Sequence, residues 1–169
     1  MSEPLPVDIE TGDAYALRTF DVKDDRLASI AVGTGHWEDG VCVAICTQKP
    51  DDPDHIVPVE GCHCGVYAYW TIGELVERYS ELSRHIVTVV RLGGETIEGD
   101  NGVKAGSAQI VAWWCAEDAP EHIAACEASI PTTREDANRG EVVVRRFYDR
   151  DVMIRMYPPP PPAERNRHG

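Results

Sequence analysis

Residues 85–116 read HIVTVVRLGGETIEGDNGVKAGSAQIVAWWCA. The first eight, His85 to Leu92, are dominated by β-branched side chains, which lose χ1 freedom in a helix and pack well on a pleated surface. Val103 to Ala116 has the same character and predicts a long strand, or a strand that bends at Gly106. Two turn signals separate them, Gly93-Gly94 and Asn101-Gly102. The second is a dipeptide suited to the positive φ angles of a tight hairpin. An isolated hairpin is marginal in water, so this pair requires further strands and a covering layer.

Those strands are legible on both sides. AYALRTFDV (14–22), a turn at Asp24-Asp25 and RLASIAV (26–32) predict a hairpin. GTGHWEDG (33–40) is a turn-rich loop around Trp37. VCVAIC (41–46) predicts a third strand, with Cys42, Ala44 and Cys46 on one face and Val41, Val43 and Ile45 on the other. Apolar side chains on both faces predict a strand covered on both sides. GVYAYW (65–70) leads into the clearest helix signal. Thr71 and Glu74 make a capping box, and Ile72, Leu75, Val76, Tyr79 and Leu82 recur at helical spacing.

Beyond the central pair, Asp118, Pro120 and Glu121 open a short helix, EHIAACEA, that Pro131 ends. TTREDAN (132–138) is polar and helix-compatible as far as Gly140, and EVVVRRFY (141–148) and DVMIRMY (151–157) predict two more strands. The pattern lacks regular strand–helix alternation. It predicts an α+β domain, a mostly antiparallel sheet of about six or seven strands with two or three short helices and a metal-held loop. This domain spans 14–157, after a flexible lead-in at 1–13. The tail from 158, PPPPPAERNRHG, is polyproline II running into a disordered end.

The loop is CTQKPDDPDHIVPVEGCHCG (46–65), which holds three of the six cysteines and two of the six histidines. It is long and poor in apolar anchors, so it needs a cross-link to hold one shape. Cys46, His55, Cys62 and Cys64 form a four-ligand set of the kind tetrahedral Zn²⁺ accepts. His63 or Cys42 could replace one of these. Four protein ligands leave no open position for a water, so the predicted zinc is structural. Alternatively, Cys62 and Cys64 flanking His63 could serve a thiol- or metal-dependent enzyme.

Trp37 with Gly40, the run Cys46…His55-x-x-Pro58…Cys62-x-Cys64-Gly65-x-Tyr67-Ala68, and the glycine-rich strand pair at 87–114 together resemble an uncharacterised family of actinobacteria and their bacteriophages. The resemblance covers about residues 15–115. Val103-Lys104 stands where that family usually has an aromatic-arginine pair. It implies the grouping of Cys46, His55, Cys62 and Cys64 and a phage or prophage origin, and carries no activity.

Composition narrows the partners. The chain of 169 residues carries a net charge of −13. Residues 1–133 hold 23 acidic and 8 basic side chains, whereas 134–169 hold 6 acidic and 8 basic. An acidic body repels phosphate backbones, so no nucleic acid is expected as a partner. No apolar run has the length of a membrane span and no secretory leader pattern opens the chain, which predicts a cytoplasmic protein without membrane attachment. No nucleotide-loop, dinucleotide, serine-elbow or zinc-protease motif is present. Trp113-Trp114 on a strand point to opposite faces, so one is expected in the core and the other over a neighbouring element. Cys115 and Cys126 are expected as packing residues, and His36, His85 and His122 as structural ones. The predicted function is a non-enzymatic, zinc-stabilised module that binds a protein.

Overall fold

The computed structural model describes residues 14–29, 36–44, 58, 64–99, 102–136 and 139–161. Its centre is the hairpin of β7 (Ile86–Gly99) and β8 (Gly102–Cys115), paired from Ile86↔Cys115 to Gly99↔Gly102. The expected turn at Gly93-Gly94 is instead an irregularity inside β7: Gly93 faces Ser107, and pairing resumes at Thr96↔Ala105. Gly94 takes φ +72° there. A second irregularity leaves Val111 as an extra residue between Val89↔Ala112 and Val90↔Ile110. Both bend the ladder and increase its twist.

β1 (Ala14–Arg18) lies antiparallel on the outer edge of β7. The other edge of β8 is shared by three strands in succession. β11 (Arg145–Phe147) runs parallel against Ala112–Trp114, β5 (Val41–Val43) antiparallel against Ser107–Gln109, and β6 (Val66–Ala68) antiparallel against Val103–Ala105. β4 (His36–Glu38) flanks β5 and completes a seven-stranded sheet. The sheet rolls far enough for its two sides to meet. Leu17 and Tyr69 exchange both backbone hydrogen bonds, at 2.7 and 2.8 Å, joining β1 to the end of β6.

Alternation divides the β7 side chains between two cores. Ile86, Val90 and Leu92 join Ala16, Phe20, Val66, Val103 and Trp113 on one face, together with Cys126 and Ile130. Val87 and Val89 join Leu17, Tyr69, Leu75 and Met153 on the other. Trp113 is buried and Trp114 half-buried, on opposite faces as expected.

Four helices are present among the described residues. α1 (Ile72–Arg78) carries the expected capping box: Glu74 N–H donates to Thr71 Oγ1 at 3.2 Å, and Thr71 N–H donates to Glu74 Oε1 at 3.1 Å. α2 (Ser80–Ser83) follows directly. α3 (Pro120–Ser129) starts at its proline and is followed by Pro131. α4 (Arg150–Met156) replaces the strand expected at DVMIRMY. Asp149 Oδ1 accepts the Val152 N–H at 3.1 Å, an N-cap that outweighs the apolar Val-Met-Ile run.

Three other sequence readings change. TTREDAN does not form a helix. Thr133–Asp136 is β9, paired with β10 (Gly140–Val143). Long-range contacts select the extended form: Asp136 forms a buried ion pair with Arg91, and Arg134 donates to Gln109 Oε1 and to the carbonyls of Asp39 and Ile110. The N-terminal hairpin is confined to β2 (Asp21–Lys23) and β3 (Arg26–Ala28), because β1 pairs with β7. Its turn residues Asp24 and Asp25 both have positive φ, the conformation of a two-residue hairpin turn. On β5, Cys42 is fully buried, but on the other face Val41 is half-buried and Val43 is 64% exposed, so that face is only partly covered. At the other end, Pro158–Pro161 belong to neither helix nor strand, and Pro160 is buried. Residues 1–13 and 162–169 lie outside the described residues.

Candidate metal centre

The proposed ligands bracket an excursion whose two ends the sheet holds together. Ala44, just past β5, donates its N–H to the carbonyl of Gly106 at 2.9 Å. Val66, the first residue of β6, pairs with Ala105. The chain therefore leaves β8 at one residue and returns at the next, with residues 45–65 between. Cys46 follows Ala44 by two positions, and Cys64 precedes Val66 by two.

Of the four ligands, Cys64 is described and buried, 4% exposed. Cys46, His55 and Cys62, with the alternative His63, lie outside the described residues. The Cys64-Gly65 step is constrained. Gly65 has φ +125°, and a Cβ there would lie 3.1 Å from Lys104 Cβ and 3.3 Å from Pro58 Cβ. Pro58, also buried, thus packs against the chain beside Cys64. This brings the proline of the H-x-x-P motif against the glycine of the C-x-C-G motif. The donors themselves suit zinc: thiolates and one imidazole are its preferred ligands, and a buried thiolate requires a compensating cation.

Cys42, the other alternative ligand, points into the core. Burial pushes its pKa up, and the guanidinium of Arg18 only partly offsets this.

The remaining described thiols form a second cluster. Cys115, at the end of β8, accepts a hydrogen bond from the Cys126 thiol on α3, which lowers its pKa against the effect of burial. The field of Arg146 and the Ala116 N–H act in the same direction. Cys126 is raised, chiefly as the donor in that bond. Arg146 spans the pair's neighbours, over the Trp113 ring at 4.8 Å and bonded to Glu127 at 3.3 Å. His85, just before β7, and His122 on α3 stack at 4.4 Å. Both cysteines are buried, as expected of packing residues, but their mutual contact was not legible: nothing in the spacing of Cys115 and Cys126 announces it. Among the described residues, no group of three or more His, Cys, Asp or Glu side chains converges to hold a metal. No helix among them is long and apolar enough to cross a membrane.

Compared with protein-family models, with curated proteins and with solved structures, the chain matches none.

Proposed function

We propose that this chain is a non-enzymatic, zinc-stabilised protein-binding module in which Cys46, His55, Cys62 and Cys64 hold one structural Zn²⁺. The observation that carries the metal is the placement of Ala44 and Val66 against consecutive residues of β8. A loop closed at its base by the sheet has already lost much of its closure entropy. A tetrahedral ion then needs to order only its interior, and structural zinc supplies on the order of 10 kcal/mol for this.

The partner is a protein. Val43, exposed on β5 beside the loop base, offers an apolar contact on an otherwise acidic body of net charge −13. The same charge argues against a nucleic-acid partner. The resemblance of the C…H-x-x-P…C-x-C-G-x-Y-A run adds the biological setting, a phage-encoded factor acting on a host protein in the cytoplasm.

Two measurements test this reading. Protein prepared without chelator should contain about one zinc per chain. A photo-crosslinker placed at Val43 should capture a discrete host protein, and Val43→Asp should abolish the association. Metal-free native protein would refute the zinc centre. Micromolar, salt-dependent binding to duplex DNA would refute the partner class.

A further inference from the structure

Arg18 is a buried guanidinium with an unpaired Nε–H. It sits on β1 inside the roll of the sheet and is 2% exposed. Its Nη1 donates to the Tyr67 carbonyl and its Nη2 to Ser29 Oγ at 3.0 Å. Its Cζ lies 5.2 Å from the ring centroids of both Phe20 and Trp37, which meet edge to face at 5.0 Å. No carboxylate among the described residues pairs with it. Nε is buried without a hydrogen-bond partner, and so is the indole Nε1 of Trp37.

Two orphaned donors in neighbouring side chains, one of them a cation, are the arrangement that a bound anion satisfies. Buried guanidinium groups are stable when a counter-ion meets them, and their side-on edge matches the two oxygens of a carboxylate. The single positive charge and the few free donors fit a monoanion better than a phosphate dianion. Burial pulls the Arg18 pKa down to about 10, so the group remains a cation at neutral pH.

We propose that Arg18 and Trp37 form the donor face of a binding site for a small monocarboxylate. The Arg18 Nε–H and the Trp37 indole N–H hold its oxygens, beside the hydroxyl of Ser29. None of the proposed zinc ligands takes part in this site.

The test is titration of the full chain with sodium formate and sodium acetate at constant ionic strength, followed by tryptophan fluorescence and thermal unfolding. Sodium chloride and sodium phosphate serve as the other arms. The expected result is a saturable fluorescence change and a rise in Tm with a carboxylate alone. Trp37→Phe, which keeps a ring and removes the N–H, should weaken carboxylate affinity about tenfold or more. Arg18→Met should abolish binding, and Trp37→Phe keeps the test open if Arg18→Met fails to fold. No saturable response to carboxylate, a response to phosphate alone, or unchanged affinity in Trp37→Phe would overturn the proposal.

Discussion

Ala44 and Val66 meet consecutive residues of one strand, Gly106 and Ala105, although the chain between them runs through every proposed zinc ligand. The sheet therefore holds the two ends of this stretch side by side on β8. Two glycines permit close approach of the chain on either side of this strand pairing.

At Gly102, φ is +141°, and an added Cβ would lie 2.6 Å from the Ala68 carbonyl oxygen and 3.0 Å from the Tyr69 ring. Gly102→Ala should therefore destabilise the fold by about 2 kcal/mol or more, because both the backbone conformation and the clash oppose it. Gly65→Ala should behave similarly, with Lys104 and Pro58 as the obstructing groups. Gly140 also has positive φ but nothing within 4 Å, so Gly140→Ala should cost only about 1 kcal/mol. Urea unfolding of the three variants gives the order directly.

The ion pair of Arg91 with Asp136 ties β9 to the sheet, with side chains only 7% and 11% exposed. Asp136→Ala leaves a buried guanidinium without this carboxylate and should cost about 3 kcal/mol or more. The double variant Arg91→Met with Asp136→Leu should recover most of that loss. A double-mutant cycle by chemical denaturation measures the coupling.

A pH prediction comes from His122. Burial first, and the neighbouring His85 imidazole second, hold its pKa below the ordinary value, against the opposing fields of Glu121 and Asp21. As pH falls below about 6.5 the unfolded chain takes up this proton before the folded one does. Stability attributable to His122 is therefore complete above that pH and is lost as pH falls towards the folded-state value. The Tm difference between pH 7.5 and pH 5.5 should be smaller in His122→Gln than in the natural sequence.

The sheet and the helix at Thr71 were legible because their signals are local. A capping box, β-branched runs and an Asp-Asp turn act within a few residues. The errors arose where distant partners decide. Thr133–Asp136 is extended because Arg91, Gln109 and the Asp39 carbonyl reach it, and no window around TTREDAN contains those residues. β1 pairs with β7 across the sheet, although its nearer neighbour in sequence looked like its partner. DVMIRMY departs from its expected strand for a local reason: Asp149, just before it, caps a helix that its apolar run alone does not announce. Of the candidate centre, the motif was legible and the closure of its base was not. That closure depends on β5 and β6 occupying one edge of β8, a fact of register rather than composition.

The most direct test of the metal-held loop is the zinc content of natural and Cys64→Ser protein by mass spectrometry, with Cys115→Ser as the control. Each sample is prepared without chelator, and thermal unfolding is recorded on the same material. About one zinc per chain is expected in the natural protein and in Cys115→Ser, whose Tm should fall only as an ordinary core truncation of about 1–2 kcal/mol requires. Cys64→Ser should lose the metal and most of its cooperative transition. A natural protein without zinc, or a Cys64→Ser variant that retains zinc and melts like Cys115→Ser, would contradict the account.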